Sequence, residues 1–530
     1  MQQVVIIGAG LGGLFTAALL AKEGFRVTVL EKNATIGGGL QNFSRFGVSF
    51  DTGMHVIGGM QPGGNIRRMC EYLGIADKIR LRDVDDDCID SLFFAEDHAT
   101  YRIAKGREGF VSSLAGYFPR QRENLQRYVD ALFELVEQAD LFNLRPSTGG
   151  MTLYLGSADF MLSADQFIAK YIDDPKLASV LAYFSPLYGG RHGETPAFVH
   201  AIINVLYING PSRFEGGSAH VADLLADVVR ANGGSVLTRH EVEWIEVQNR
   251  HVEFVRTRGG QQFTADYYIS DIHPCSLFGL MADGALPRAY RNRLDSIPNA
   301  HSAFSLFIKL KDRSFPYINH TEYYMSRYDE IWSFLPSASR PGPPDSEWPL
   351  GFLFMTPPEV KQGPWANKVI ITAPMPFSEV ERWADTRVGH RGDDYKQWKK
   401  QRAAAVLRKV EEMHPGFLQC VEAVNTASPL TIRDFYAAKE GTICGFSKNV
   451  NNIALSQVPV VTKIKNLLLT GQNNNLHGFC GVPLTAINTC EAILGVNHIV
   501  NQLNAQSSTL NAQPSTPNAQ SSKLNPQKTQ

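Results

Sequence analysis

The sequence predicts an α/β fold: a βαβ-type sheet domain assembled from separated stretches of chain, with an α+β domain inserted into it. Three observations carry that prediction. The chain opens on a short apolar run that breaks into spaced glycines, Val4 to Gly13. A strand, a turn, a glycine loop and a helix follow one another at the far end, from Asn466 to about Asn501. Between them lie two long stretches of mixed periodicity, helical in the first and helix plus strand in the second.

Val4-Val5-Ile6-Ile7 is β-branched throughout and reads as a strand buried on both faces. Gly8, Gly10 and Gly13 follow at the G-x-G-x-x-G spacing, with Leu11 and Gly12 completing the turn. Such glycines serve a tight turn, a close backbone approach to a pyrophosphate, and close helix–strand packing. Leu14 to Lys22 reads as a helix that Gly24 stops, and its free N-terminal N–H groups suit a phosphate. Arg26 to Leu30 is the second strand. Glu31 ends it, with Lys32 alongside, and can accept hydrogen bonds from a ribose. The glycine spacing alone is a weak signal. Strand, turn, helix, second strand and acid in that order are specific, and predict a dinucleotide on a Rossmann-like domain. Val4 to Ala21 carries no charge, but it is rich in glycine and lacks a basic leading segment. It is therefore read as part of the βαβ unit, not as a membrane span or signal peptide.

The 530 residues, 44% of them hydrophobic, are enough for more than one domain. A net charge of −1 gives no reason to expect a nucleic-acid partner. Seven scattered cysteines without a C-x-x-C fit a reduced, cytoplasmic setting and no metal framework. Cys480 and Cys490 are read as small buried apolar residues. From Leu503 the chain repeats a polar, proline-containing heptad, which is expected to be disordered over 503–530 and dispensable after Asn504.

Three further features choose between a nicotinamide and a flavin. A second glycine cluster, Gly37-Gly38-Gly39, comes directly after the ribose acid, where a plain NAD domain needs none. The stretch Phe50-Asp51-Thr52-Gly53-Met54-His55 follows it. Near the end, Asn466 to Leu469 reads as a strand, Gly471-Gln472 as a turn, and Gly478 with Gly481-Val482 as the start of a helix. A helix start there can point N–H groups at a flavin ring edge and stabilise negative charge on it. FAD is the cofactor these features favour.

With these residues the chain resembles the phytoene desaturase, carotenoid isomerase and retinol saturase group of FAD-dependent oxidoreductases, the Phe50–His55 and Leu469–Gln472 segments being most similar to the retinol saturase branch. The resemblance spans roughly residues 1–500. Arg213 to Ser218, Ala265 to Asp271, Ser428 to Thr431 and Gly445 are similar to its other markers. It implies a discontinuous FAD-binding domain of the glutathione-reductase type, with Val242 as a second adenine-side contact. It also implies cofactor contacts at Gly8, Gly10, Leu11, Gly12, Gly13, Glu31, Lys32, Gly38, Gly39, His55, Gly471, Gln472, Gly481 and Val482. Two positions depart from the group's pattern: Leu40 stands where many members have arginine, and Gln472 where many have aspartate.

The implied FAD domain takes 1–95, 215–290 and 425–502, and the substrate domain 96–214 and 291–424. Leu125 to Ala139, Asp159 to Tyr183 and Tyr395 to Met413 read as helix, Ala303 to Leu310 and Val369 to Ala373 as strand, and Pro341 to Pro344 as a loop. The five aspartates between Asp83 and Asp90 lack EF-hand spacing and are read as a solvated turn.

The expected chemistry is FAD-dependent action on C=C or CH–CH bonds of a hydrophobic isoprenoid or polyene: saturation, desaturation or isomerisation, with the retinol saturase match favouring saturation. No second dinucleotide motif is present, so a separate electron donor or acceptor is expected. His55, His477 and Tyr436 are the candidate catalytic groups; for His55, hydrogen bonding to backbone in a tight loop is the structural alternative. His200 reads as core or pocket lining. The uncharged stretch Ala197 to Pro211, with Phe160 to Leu162 and Leu181 to Tyr188, is a candidate greasy tunnel or an ordinary core. Any membrane contact is expected to be peripheral. Two alternatives share the scaffold: an amine oxidase or protoporphyrinogen oxidase type enzyme, and a non-catalytic binder of prenyl lipids resembling Rab GDP-dissociation inhibitors.

Overall fold

The computed structural model describes residues 1–53, 55–147, 158–332 and 347–512; Met54, the Pro341–Pro344 loop and residues 513–530 lie outside them. In chain order the strands of its two main sheets are β1 (Gln3–Ile7), β2 (Arg26–Leu30), β3 (Asp90–Phe94), β4 (Ala99–Ile103), β5 (Ser235–Leu237), β6 (Tyr267–Ser270), β7 (Ser302–Leu310), β8 (Thr321–Met325), β9 (Gly351–Met355), β10 (Lys368–Met375), β11 (Val421–Ala427) and β12 (Leu467–Leu469). The helices that bear on the site are α1 (Leu11–Lys22), α2 (Ser185–Tyr188), α3 (Ala197–Ile208), α4 (Ala219–Ala231), α5 (Gly392–Met413), α6 (Pro429–Tyr436), α7 (Gly478–Leu494) and α8 (His498–Ala512).

The first sheet is parallel, in the order β5-β2-β1-β6-β12. Its central strand is apolar from Val4 to Ile7 because both faces are covered there. Val4 and Ile6 point into the largest core with α1, while Val5 and Ile7 point into another core built by a three-stranded sheet that includes Val242–Gln248 and His251–Thr257. Helix α1 packs between α4 and α7 and is buried from Gly12 to Ala21, which explains its lack of charge. The family-type α/β fold is thus present, and the uncharged N-terminal run is its core.

The second sheet has seven strands in the order β11-β7-β10-β9-β8-β3-β4, antiparallel except for β8 beside β3. Its two faces differ. Phe304, Leu306, Phe352, Phe354 and Ile371 bury into a core that α5 covers. The alternate residues Ala303, Ser305, Tyr323, Leu353, Met355, Thr372 and Pro374 face a cavity. The first sheet draws strands from 1–95, 215–290 and 425–502. The β3–β4 hairpin spans residue 95 and β11 spans residue 424, so the second sheet reaches past both of those boundaries.

Four expectations are corrected. The C-terminal helix does not run on to Asn501: α7 ends at Gly495, which has a positive φ of 103°, and α8 leaves at 116°. The carboxylate of Glu491 then accepts the N–H groups of Asn497 and Val500 and caps the start of α8. The tail is not disordered from residue 503, because α8 continues to Ala512 with Leu503 buried beside Ile499 and Val500. The stretch Asp159 to Tyr183 breaks into separate helices, Ala164–Tyr171 and Pro175–Leu181. Ser163 and Gln166 form a capping box for the first; Asp174 caps the second, with Pro175 at its opening position. Finally, Asp83, Asp85, Asp86 and Asp87 are exposed as a solvated turn should be, but Asp90 lies buried on β3, accepting the hydroxyl of Tyr183 at 2.9 Å. No group of three His, Cys, Asp or Glu that could hold a metal occurs among the described residues.

Candidate functional site

A cavity of about 530 Å³ runs from the glycine turn between β1 and α1 to the open face of the seven-stranded sheet. At one end it is lined by Gly8, Gly10, Leu11, Gly12, Glu31, Lys32, Gly38, Gly39 and Val242. Glu31 is 6% exposed and each of its oxygens accepts one backbone N–H, from Ala9 at 2.9 Å and Asn33 at 2.8 Å. That fixes the carboxylate at the end of β2 with lone pairs left over for a ribose. Gly37 donates to Ala9 O at 2.7 Å with a φ of 113°, so the second glycine cluster is bonded directly to the first turn. Lys32 is held away from a phosphate: its ammonium donates to the Asp434 carbonyl, and burial lowers its pKa.

Gly13, Gly471 and Gly481, expected as cofactor contacts, do not line the cavity. Each makes room behind it instead. A Cβ on Gly13 would overlap the Gly8 carbonyl, one on Gly471 the Asp271 carboxylate, and one on Gly481 the Leu476 side chain. Asp271, which sequence reading only placed at the end of a strand, proves to stand inside the glycine turn. A Cβ on Gly10 would lie 2.6 Å from its Oδ2. An acid at the carboxyl end of a parallel strand beside that turn was the available signal.

The Phe50–His55 segment is stapled to the Arg213–Ser218 segment. Buried Asp51 accepts the Ser218 backbone N–H at 2.7 Å and its hydroxyl at 3.2 Å, and Gly217, with a φ of 97°, leaves room for Asn42 and Asp51. The chain then enters the cavity at Thr52, Gly53 and His55. His55 Nδ1 is buried and has no hydrogen-bond partner among the described residues. Burial, with the positive charges of Arg213 and Lys368, holds its pKa down to about 3, so the ring is neutral.

His477 and Tyr436 also reach the cavity. His477 Nε2 donates to the Leu187 carbonyl at 2.8 Å, and burial lowers its pKa to about 4. Burial pushes the Tyr436 phenol up to about 12. His301 was missed by the sequence reading. It stands one step before β7, on the same face as Ala303 and Ser305, so strand periodicity could have found it. A hydrogen bond to the Pro186 carbonyl holds its ring, its Nε2 is unpartnered, and burial with the nearby His477 and Arg191 brings its pKa to about 4. Two successive carbonyls of α2 thus orient two imidazoles. His200 is a core residue between the hydroxyls of Tyr128 at 2.6 Å and Tyr188 at 3.0 Å.

The sheet-side half of the cavity is mainly apolar, with hydroxyls from Ser305, Thr321, Tyr323 and Thr372, and is closed by Ile203, Leu206 and Tyr207 of α3 and by Pro186 and Leu187 of α2. Phe160 and Met161 do not line it, and Met161 points to solvent. Between the halves lie Gln472, Phe479 and Val482 at the start of α7, whose N-terminus carries no side-chain cap. The residues therefore fit FAD: an acid placed for a ribose, a turn whose own residues put no side chain in the way between Gly8 and Gly10, and a second glycine turn leading to helix N–H groups without a side-chain cap. Glu31, Gly10, Leu11, Gly12, Gly38 and Gly39 would hold the dinucleotide, and Gln472 and Val482 the ring end.

The family model for flavin-containing amine oxidoreductases matches residues 11–344. All-trans-retinol 13,14-reductase of Danio rerio is 27% identical to the chain over 531 residues, covering 92% of this chain and 85% of the relative. Prolycopene isomerase 2 of an Oncidium hybrid is 24% identical, covering 88% and 79%. Among solved structures, an oxidoreductase from Methanosarcina mazei aligns with a TM-score of 0.61 at 16% identity, over 92% of this chain and 100% of that one, and shares the fold.

Proposed function

The chain belongs to the flavin-containing amine oxidoreductase family, and from that premise we propose that it is an FAD-dependent oxidoreductase acting on carbon–carbon double bonds of a hydrophobic isoprenoid such as a retinoid or carotenoid. One observation carries this reading: the dinucleotide groove opens without a break into an apolar chamber between the seven-stranded sheet and α3. A polyene lacks hydrogen-bonding groups along its length, and a chamber whose strand face carries Ala303, Leu353, Met355 and Pro374 beside a few hydroxyls, opposite Ile203 and Leu206 of α3, suits it. The names of the relatives, a retinol reductase and a prolycopene isomerase, support the substrate class.

Bound FAD supplies hydride and electron-pair chemistry at its ring. The chain supplies position, dryness and protons. Glu31 and the glycine turns set the dinucleotide, and the uncapped start of α7 stabilises negative charge at the ring end. Leu206, Tyr207, Leu353 and Met355 exclude water. His55, neutral and with an unpartnered ring nitrogen, is our candidate for relaying a solvent proton to the second carbon in saturation, taking one up on one nitrogen as it gives one up. Saturation is the direction we favour; electrons then come from a separate donor.

Product analysis tests this. The FAD-loaded protein is incubated anaerobically with all-trans-retinol and with a cis-configured carotene, the flavin oxidised in one set and reduced in the other. Saturation shortens the chromophore, desaturation lengthens it, and isomerisation changes retention time at constant mass. No change in any of them, with peroxide released from amines instead, would favour amine oxidation. No single helix among the described residues is long and apolar enough to cross a membrane. We propose peripheral contact for lipid uptake, checked by co-sedimentation with phospholipid vesicles.

A further inference from the structure

The charge in the dinucleotide cavity has the wrong sign for its ligand. Its ionisable lining, histidines, tyrosines and cysteines aside, is three carboxylates, Glu31, Glu241 and Asp271, against one ammonium, Lys32. Each of these four already has a partner, and only Glu241 is paired with a group of opposite charge. Glu31 accepts two backbone N–H groups, Glu241 pairs with Arg258 at 2.9 Å, and Lys32 is turned to the Asp434 carbonyl. Among the described residues no cation acts on Asp271. The turn Gly8–Gly13 and the loop Gly471–Gln472 packed against it carry no charge. From the end of β2 it meets Glu31, another anion. On its own segment His273 is bonded to Asn299 at 3.0 Å and is neutral, its pKa lowered to about 4 by burial. The Asp271 oxygens occupy the space left by three glycines, 10, 12 and 471, and accept backbone hydrogen bonds from Gly13 and Gly10. A pyrophosphate entering that turn brings two negative charges to the same N–H groups.

We propose that Asp271 is a positioning residue that takes up a proton when the FAD pyrophosphate settles in the glycine turn, so that cofactor binding is coupled to proton binding. As a neutral acid it still accepts the turn's N–H groups and no longer repels the phosphates. Burial first, with the Glu31 carboxylate nearby, already holds the Asp271 carboxyl up at about 7 against the lowering effect of the Gly13 and Gly10 N–H groups, and incoming negative charge raises it further. The sign follows: the bound-state pKa lies above the free-state one, so affinity is full below about pH 7. Above it, affinity falls by about tenfold per pH unit until the bound-state pKa is passed.

The inference rests on the FAD reading, and the test separates the two. Apoprotein is titrated with FAD by fluorescence quenching from about pH 6 to about pH 9, and by calorimetry at about pH 8 in two buffers of different ionisation enthalpy. The expected result is a Kd that weakens with pH and an uptake approaching one proton. Asp271→Asn should abolish the uptake, flatten the profile, and bind FAD at about pH 8.5 roughly tenfold or more tighter than the wild type. A wild-type Kd constant across the range without proton exchange overturns the proposal, as does an Asn variant that keeps the uptake. FAD binding to neither protein at any pH overturns the cofactor reading itself. If the variant fails to fold, infrared difference spectra of the wild type decide: a protonated carboxyl band gained on FAD binding supports the inference, and its absence overturns it.

Discussion

Gly13 shows what one atom does in this site. A Cβ there would overlap the backbone carbonyl of Gly8, which cannot swing aside as a side chain can. Gly13→Ala should therefore cost about 1–3 kcal/mol of stability as well as cofactor, read from thermal unfolding and the flavin spectrum. Gly10→Val acts differently. Its nearest obstacle is the movable Asp271 side chain, so the fold should persist while FAD is released; a variant that stays fully yellow would refute the placement of the pyrophosphate. His55→Ala should leave FAD bound and slow turnover about 10²- to 10⁴-fold if the ring moves a proton. Unchanged kcat would make it a structural histidine. Residue legibility followed chemistry. Glu31 and the first glycines were readable because a turn and a ribose demand them at fixed spacing. Asp271 and His301 were not, because what they face comes from strands and loops remote in sequence.

Elements were legible where period and punctuation agreed. The expected helix Tyr395 to Met413 lies within α5, and the expected strands Ala303 to Leu310 and Val369 to Ala373 lie within β7 and β10. The misread elements turned on single residues. Pro175 and Ser163 open new helices inside an apolar pattern, and Gly495 with Glu491 splits the last helix in two. Leu503 shows why the repeat tail begins as structure: one buried leucine side chain is worth about 1.5–3 kcal/mol, enough to draw the following polar residues into α8. A cut after Asn504 passes through α8 and removes Gln506, which donates to the Glu71 carbonyl. Truncation after Ala512 should leave the melting temperature unchanged, whereas truncation after Asn501 should lower it; equal melting temperatures for the two would show that α8 contributes nothing.

At the scale of the whole molecule, the buried histidines predict an acid limit. His55, His200, His301 and His477 are all neutral in the fold, with pKa values held at about 3 to 4 chiefly by burial. Unfolded, they titrate near 6.5. Their folded values are depressed, so the unfolded chain binds more protons below about 6.5, and stability is full above that pH and lost as pH falls toward 4. Thermal unfolding between about pH 7 and pH 4 should show the decline, and it should be shallower in His200→Gln; equal slopes would mean that His200 does not titrate on unfolding. The amino-acid sequence by itself determined the α/β class, the glycine turn with the acid that ends β2, and the flavin family, because each depends on short-range spacing along one βαβ unit or on motifs whose members are contiguous. Only the tertiary structure decided which glycines touch the cavity and which stand behind it, and that α3 and the seven-stranded sheet close one chamber. It alone placed the Asp271 carboxylate inside the glycine turn with no cation among its charge partners in the described residues. Those facts depend on which side chains share a dielectric and a volume, and that is set by packing between segments hundreds of residues apart.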